Sequence, residues 1–213
     1  MSIEPEKVWV YRIIPIQNLE CILRNGLYCK SANKKDDGFV TIGSEEIITE
    51  RDVRVVKCYP ETVVNDYVPF YFSVRTPMLY NIITGHGVKA RPQKEIIYLC
   101  CKLEDFLNGE FQWCFTDGNA AKKISRFSTN LNDLNNLDWR SINTNDFRDE
   151  NADGDEDRIR KKHSEFLVKE HIPVNFIRGI GVVNKEMEEM VKDILSKLDL
   201  AIEVKVKNEF YFL

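Results

Sequence analysis

Apolar and aromatic stretches along the chain predict a series of short β-strands. The runs KVWVYRII, EIIYLCCKL, FQWCFT and VNFIRGIGVV are rich in β-branched and aromatic residues. EFLV is a shorter run of the same kind, and the last stretch, AIEVKVKNEFYFL, alternates apolar and polar positions as a half-buried strand does. Cys100 and Cys101 lie inside EIIYLCCKL, so we expect both to be small apolar residues of the core.

Helical spacing of apolar residues appears between these strands. IQNLECILRNG has apolar positions three and four apart, and Gly26 stands where that helix would end. Ser44 is placed to cap a short helix that carries Arg51 near its far end. Thr76 and Pro77 have the residue types of a helix cap and first turn. The remaining helical predictions are LEDFL, NAAKKISRF, RIRKKHS and the amphipathic KEMEEMVKDILSKL.

The order of these elements predicts the fold class α+β, with a mainly antiparallel or split β-sheet, because several strands follow one another without a regular helix between them. Pro69 lies inside the strand-like DYVPFYF and predicts an edge or a bulge there, since proline cannot donate to a ladder. No linker or repeat is visible, so residues 1–213 are expected to form a single domain. The polar stretch 128–157 is interpreted as a functional or disordered loop.

Composition narrows the classes of function. The 34 acidic residues outnumber the 30 basic ones, which argues against a general polyanion binder but leaves room for a local basic groove. Six cysteines without a CxxC pair favour neither a zinc site nor a disulfide framework, and we expect no metal. The chain contains no apolar run near the roughly 18 residues of a membrane span and no signal-peptide core at its start. We therefore expect a cytoplasmic protein without a membrane partner.

Few residues remain as candidates for catalysis. The sequence has neither GxGxxG nor GxxxxGK[ST], and its three histidines do not accompany a nucleophile elbow. The candidates are Arg12 in the first strand, Arg51 or Arg54 at the short helix, and Glu165 in front of the apolar FLV. From the residues alone, a glutamate at a strand edge suits a structural role as well as a catalytic one.

Seven stretches of the sequence, in order from residue 7 to 168, resemble the DarT family of toxins, which are NAD-dependent ADP-ribosyltransferases of bases in single-stranded DNA. They are KVWVYRIIPIQNLECILRNGL, IGSEEIITER, DYVPFYFSVRTPMLY, FTDGNA, LDW, DFR and HSEFLV. DYVPFYF followed by PML is the most specific of them. The resemblance implies the ADP-ribosyltransferase fold, a split β-sheet with NAD, the co-substrate, in the cleft between its halves.

The resemblance places the catalytic glutamate at Glu165 and the catalytic arginine at Arg51. Cleavage of the glycosidic bond of NAD develops oxocarbenium character on the ribose, which a nearby carboxylate stabilises. The same carboxylate can polarise or deprotonate the incoming base. An arginine grips a pyrophosphate through two parallel hydrogen bonds, which lysine cannot copy.

The resemblance also implies a set of NAD-binding residues. They are Arg12, Ile14, Gly43, Arg51, Tyr71 and Met78. Arg12 corresponds to the residue that reaches the adenosine ribose. The ring of Tyr71 and the thioether of Met78 suit contact with flat rings, although ordinary core packing suits them as well.

The stretch 117–157 corresponds to an element that covers NAD and contacts the DNA strand. Its candidate DNA contacts are Asn119, Lys122, Lys123, Arg126, Phe127 and Trp139. Positive side chains beside aromatic faces are the usual means of holding a single strand. A second basic cluster either extends this groove or is solvated surface; it comprises Arg158, Arg160, Lys161 and Lys162.

Two positions depart from the family pattern, because Pro15 and Asn119 stand where family members often have histidine. Asparagine forms hydrogen bonds but does not titrate near neutral pH. The target base is expected to be thymidine or guanosine, and the expected partner is a DarG-like macrodomain antitoxin that reverses the mark. The alternatives are an enzyme of the same fold acting on RNA or an RNA 2′-phosphate, and an inactive module that binds NAD or nucleic acid.

Overall fold

The computed structural model describes residues 3–34, 38–145 and 154–212. Its helices are α1 (Leu19–Asn25), α2 (Glu45–Val53), α3 (Pro77–Thr84), α4 (Leu103–Leu107), α5 (Trp139–Asn143), α6 (Arg158–Lys162) and α7 (Lys185–Lys197). Its strands are β1 (Trp9–Pro15), β2 (Leu27–Tyr28), β3 (Val55–Val56), β4 (Tyr59–Val63), β5 (Tyr67–Tyr71), β6 (Ile96–Lys102), β7 (Trp113–Thr116), β8 (Phe127–Ser128), β9 (Glu165–Lys169), β10 (His171–Ile172), β11 (Gly179–Val182) and β12 (Glu203–Val206). Short 3₁₀ turns connect several of these elements.

Within the described residues, the main sheet has eight strands in the order β12-β11-β6-β1-β5-β9-β7-β8. Strand β1 pairs along its whole length with β6, and β5 pairs along its whole length with β9. Between β1 and β5, in the part of the chain that the structure describes, the register joins only Tyr11 with Tyr71. The sheet therefore opens between these two strands. The predicted α+β fold with a split, mainly antiparallel sheet is confirmed.

The prediction that Pro69 lies at a sheet edge or a bulge is wrong. Strand β5 lies inside the sheet, where Pro69 pairs with Leu167 of β9. The carbonyl of Pro69 accepts a hydrogen bond from the Arg12 side chain on the β1 side. In an antiparallel sheet the carbonyl and the nitrogen of one residue face the same neighbouring strand. The nitrogen of Pro69 therefore also faces β1, where the ladder is open, and the missing N–H costs no ladder hydrogen bond.

The opening divides the sheet into a first half, β12-β11-β6-β1, and a second half, β5-β9-β7-β8. Aromatic side chains fill the core under the second half. The rings of Phe70 and Phe106 lie 5.6 Å apart, and Phe106 lies 5.6 Å from Phe166. Phe72 contacts Phe166 edge-on at 6.4 Å. These residues belong to the same core cluster as Val10 and other residues of the first half. The two half-sheets therefore share one core although their ladder is open.

Most predicted helix boundaries hold. Thr76 caps α3 by accepting a hydrogen bond from the Leu79 amide, and Gly26 follows α1 with a φ of +85°. Ser44 precedes α2 as predicted, but its side chain forms no capping hydrogen bond. Strands β11 and β12 are parallel and are connected through α7, which leaves β12 at one end of the sheet.

The helix predicted over NAAKKISRF is wrong, because these residues form turns followed by β8. The Arg54 guanidinium lies within hydrogen-bond distance of the carbonyls of Lys122, Lys123 and Ser125. A tertiary contact therefore occupies carbonyls that a helix would use internally.

Cys100 and Cys101 are buried in β6, as predicted, and none of the six cysteines, all of which the structure describes, forms a disulfide. Burial raises the pKa of Cys100 to about 12, so its thiol stays protonated at neutral pH. Among the residues that the structure describes, no helix is long and apolar enough to cross a membrane. The same residues contain no cluster of three metal-ligating side chains.

Candidate active site

A cavity of about 380 Å³ opens where β1 and β5 separate. Its walls come from β1, the segment 39–44, α2, β5 and the start of α3. The walls include all six residues predicted to bind NAD, namely Arg12, Ile14, Gly43, Arg51, Tyr71 and Met78. Glu165 and Asn119 also line the cavity. The opening of the sheet therefore gathers residues that are far apart in sequence.

Arg51 and Glu165 form an ion pair in this cavity. The Arg51 Nη2 lies 2.8 Å from Glu165 Oε2, and Nη1 lies 3.3 Å from Oε1. The Glu165 side chain is 1% exposed and that of Arg51 is 12% exposed. Burial alone would lower the pKa of Arg51, but the charge and hydrogen bonds of Glu165 outweigh burial and raise it. The ion pair therefore favours the charged form of Arg51.

The FTDGNA segment positions Glu165 on its other side. Glu165 is the first residue of β9, and its Oε1 accepts a hydrogen bond of 2.9 Å from the Ala120 amide. Its own amide donates to Thr116 Oγ1 at 3.2 Å, and this hydroxyl donates to the Gly118 carbonyl at 2.6 Å. A Cβ at Gly118 would lie 2.2 Å from Arg160 Nη1, so a larger residue there would displace the Arg160 side chain.

Two asparagines that the sequence analysis missed hold the walls in place. The Asn65 amide nitrogen donates to the Ile48 carbonyl at 2.9 Å and to Asp52 Oδ1 at 2.6 Å, which fixes the helix that carries Arg51. Asn18 is buried and forms two reciprocal 2.8 Å hydrogen bonds with the backbone of Val40. Their partners lie 13 to 22 positions away. Only the folded chain brings them together.

Arg12 gives the cavity a second cation. Its Nη1 donates to the Pro69 carbonyl at 2.8 Å, and its buried Nε has no partner within the described residues. Burial lowers the pKa of Arg12 to about 10, and the group remains charged at neutral pH. With Arg51 and one carboxylate, the cavity carries an excess of positive charge and an unsatisfied donor. This arrangement fits an anionic pyrophosphate such as that of NAD.

Tyr71 and Met78 contact each other at the cavity wall, where the Tyr71 hydroxyl donates to Met78 Sδ at 3.1 Å. Burial, together with the nearby charge of Glu165, raises the pKa of Tyr71. The register of the sheet sets Tyr71 directly beside Glu165. A neutral phenol and a thioether therefore form one apolar wall next to the ion pair.

His163 also lines the cavity and was missed from the sequence. It follows α6 and stands two residues before Glu165, with its ring centroid 6.0 Å from that of Tyr71. The proximity of a titratable side chain to the predicted catalytic carboxylate was a signal in the sequence.

The candidate DNA contacts fall into three groups. Asn119 lies in the cavity wall, whereas Lys122, Lys123 and Arg126 are exposed on the loop that follows it. Lys122 also forms an ion pair with Glu50 at 3.2 Å.

Phe127 and Trp139 are both partly buried. The Arg54 guanidinium carbon lies 5.5 Å from the centre of the Phe127 ring. The Trp139 indole donates to the Leu134 carbonyl at 2.7 Å and meets Phe72 edge-on. Trp139 is thus part of the support beneath this surface, and the structure does not bring it to the cavity with Asn119.

The second basic cluster does not form an open groove. Lys162 is 1% exposed and Arg158 is 7% exposed. Arg160 forms ion pairs with Asp117 and Asp157, and Lys161 forms one with Asp155. Of the predicted element 117–157, residues 146–153 lie outside the described residues, and the DFR motif lies among them.

Sequence relatives agree with this site. A family model described as "ssDNA thymidine ADP-ribosyltransferase, DarT" matches residues 11–212. A DNA ADP-ribosyl transferase of Escherichia coli O127:H6 is 31% identical over 212 residues, which cover 99% of this chain and 96% of the relative. Another from Thermus aquaticus is 32% identical over 211 residues, which cover 98% and 90%.

Solved structures give the same result. Thermus sp. 2.9 DarT in complex with ADP-ribosylated ssDNA has a TM-score of 0.88 at 28% identity and covers 100% of both chains. The same protein in complex with NAD+ has a TM-score of 0.85 at 27% identity. Thermosipho africanus DarTG in complex with ADP-ribose shares the fold, with a TM-score of 0.75 at 20% identity. The chain therefore belongs to the DarT family of NAD-dependent ADP-ribosyltransferases that act on single-stranded DNA.

Proposed function

We propose that this chain transfers ADP-ribose from NAD to a thymidine base of single-stranded DNA, with Glu165 and Arg51 as its catalytic residues. The observation that carries the proposal is the buried Arg51–Glu165 ion pair, set in a cavity lined by the residues predicted to bind NAD. The description of the matching family supports thymidine over guanosine, the other base that the sequence analysis left open.

Glu165 stabilises the positive charge that develops on the ribose. NAD supplies the ADP-ribosyl group and a nicotinamide leaving group. The hydrogen bonds from Arg51 and the Ala120 amide fix the carboxylate before the reaction, so no reorganisation is needed as charge appears. Because Glu165 is almost fully buried, its field is weakly screened by water.

The residues of the cavity wall hold NAD. The unsatisfied Nε of Arg12 and the guanidinium of Arg51 provide donors and positive charge for phosphate oxygens. Tyr71 and Met78 form the apolar wall against a flat ring. Ile14 and Gly43 complete this surface from β1 and from the segment before α2.

The loop after β7 receives the DNA. Lys122, Lys123 and Arg126 place three exposed positive side chains next to Asn119, which lies in the cavity wall. The Asn119 Oδ1 accepts from the Ala121 amide, which leaves its amide N–H groups for a base edge. Phe127 offers a partly exposed ring, and Trp139 supports the surface from below. A base in a single strand reaches such a site without the cost of unpairing.

We further propose that the chain works as a single domain in the cytoplasm, where its DNA substrate is found. Its proposed partner is a macrodomain antitoxin that removes the ADP-ribose. This part rests on the family relationship, including the solved relative named DarTG.

The test uses labelled NAD and four single-stranded DNA oligonucleotides that each lack one base, with RNA of matched sequence alongside. The proposal predicts labelling of every DNA that contains thymidine and no labelling of the thymidine-free one. The RNA carries ribothymidine in place of uridine, so that the strands differ only in the 2′-hydroxyl and the sugar shape. Labelling of RNA alone would then establish the RNA alternative. Binding of NAD without labelling of either strand would establish an inactive module.

A further inference from the structure

The position of the proton on His163 is fixed by the fold. His163 Nδ1 lies 3.0 Å from the carbonyl of Ile159 in α6. A carbonyl oxygen only accepts, so Nδ1 carries the proton and Nε2 carries the lone pair. Within the described residues Nε2 has no hydrogen-bond partner, and it is not among the buried polar atoms that lack one. The lone pair therefore opens onto the cavity.

The surroundings of His163 keep it neutral. The charge of Glu165 on β9 raises the pKa of His163, whereas the charges of Arg51 on α2 and Lys162 on α6 lower it. The phenol of Tyr71 on β5 faces the ring. Burial has the largest effect and lowers the pKa of His163 below its ordinary value of 6.5. At neutral pH the imidazole is thus an unoccupied proton acceptor.

Glu165 already accepts hydrogen bonds on both of its carboxylate oxygens. Its Oε2 accepts from Arg51, and its Oε1 accepts from Arg51 and from the Ala120 amide. These three hydrogen bonds take up three of the roughly four acceptor sites of the carboxylate. The reaction nevertheless releases a proton, because the ring nitrogen of thymine that is free to attack carries a hydrogen. A second group must take it up.

We propose that His163 is the general base of the transfer, with Nε2 accepting the proton of the attacking thymine nitrogen. The bond between the nicotinamide nitrogen and the ribose carbon breaks, and its electron pair leaves with nicotinamide. A bond forms between that carbon and the thymine nitrogen, while the N–H proton moves to Nε2 and then to solvent. This inference rests on the proposed function, and the roles divide between Glu165 for charge and His163 for the proton.

The test is His163→Asn. The asparagine amide nitrogen replaces Nδ1 as the donor to the Ile159 carbonyl, whereas the acceptor at Nε2 is lost. We expect the rate with a thymidine oligonucleotide to fall by about 10²–10⁴-fold. An oligonucleotide with 5-fluorouracil, whose ring N–H is more acidic, should lose much less. His163→Gln is the second variant, since it also lacks a basic nitrogen, and it should show the same pattern.

His86→Asn is the matched control, because His86 is exposed and lies outside the cavity lining. The proposal also predicts that the acidic limb of the pH–rate profile disappears in the His163 variants. A full thymine rate in His163→Asn would overturn it, as would equal losses with both bases and an unchanged pH profile. Failure of the proposed function is distinct, because the wild-type chain would then label neither oligonucleotide.

Discussion

Arg51 and Glu165 are 114 positions apart in sequence and joined by two hydrogen bonds in the folded chain, at 2.8 and 3.3 Å. The pair places a buried carboxylate at the mouth of an opened sheet. A buried ion pair adds little to stability, because the cost of desolvating the two charges offsets much of their attraction. Its position in the cavity points to catalysis.

Replacement of Glu165 by glutamine removes the negative charge and keeps the shape. We expect the single-turnover transfer rate to fall by about 10²–10³-fold, as for loss of one electrostatic contact to the transition state. Arg51 would lose its counter-charge, which costs up to about 3–5 kcal/mol in the free energy of unfolding. Rapid-quench kinetics and urea unfolding measure the two effects. Glu209→Gln, in an exposed pair with Lys207, is the control and should change neither.

Replacement of Arg51 by lysine keeps the charge but removes the two parallel hydrogen bonds. We expect at least about a tenfold loss of kcat/KM for NAD, or about 1.4 kcal/mol. The control is Arg24→Lys, since Arg24 also contacts a glutamate through two nitrogens but at the surface. Equal activity of the two variants would show that Arg51 acts as a charge alone.

Arg54 is expected to position the DNA-binding loop. Its Nη2 lies 3.2 Å from the carbonyls of Lys122 and Lys123 and 3.4 Å from that of Ser125. We expect Arg54→Lys to raise KM for the oligonucleotide several-fold while the affinity for NAD stays the same. Hydrogen exchange over residues 120–127 should quicken in the variant.

The matched control for Arg54→Lys is Arg178→Lys, because Arg178 forms a two-bond contact with Asp105 at the surface. An unchanged KM for DNA in Arg54→Lys, with faster exchange in the loop, would show that the loop does not receive the strand.

Lys162 links stability to alkaline pH. Its ammonium is buried and donates to the Ile142 carbonyl at 2.7 Å, and burial lowers its pKa from 10.5 to about 8. Below pH 8 Lys162 is protonated in both the folded and the unfolded chain, so the folded state bears the full free-energy cost of burying the charge. Between pH 8 and 10.5 the unfolded chain binds more protons, so the free energy of unfolding rises with pH. The full rise corresponds to about 3 kcal/mol.

Lys162→Met should remove this rise, even though the loss of hydrogen bonds lowers its stability at every pH. Urea unfolding of both chains between pH 7.5 and 10.5 gives the difference in slope. Lys197→Met, at an exposed position of α7, should keep the wild-type slope. If the free energy of unfolding changed with pH equally in the wild type and Lys162→Met, the lowered pKa of the buried Lys162 would be contradicted.

The strands, most helices and the split sheet could be predicted from local patterns, because apolar spacing, Gly26, Thr76 and Pro77 act within a few residues of themselves. Arg51 and Glu165 could not be paired that way, since 114 positions separate them. Their roles came from the resemblance to a family. The loop after β7 was predicted helical because nothing local reveals that Arg54 takes its carbonyls.

The burial of a charged side chain could not be predicted from the sequence either. Lys162 lies in a basic run typical of a surface. Its burial is explained by three acceptors that the fold supplies, the carbonyls of Ile142 and Val74 and the hydroxyl of Ser73. Asn65 and His163 likewise gain their roles from partners that the fold supplies. Residues whose function depends on a distant partner were the ones that pattern analysis missed.

Glu165 is proposed to make the transfer of ADP-ribose to thymidine possible without itself carrying the transferred group. The most direct measurement is intact-mass analysis of a single-stranded oligonucleotide with one thymidine, after incubation with NAD and either the wild-type chain or Glu165→Ala. We expect a mass gain of one ADP-ribose with the wild type and none with the variant. The same gain with Glu165→Ala, or no gain with a folded, NAD-binding wild type, would contradict it.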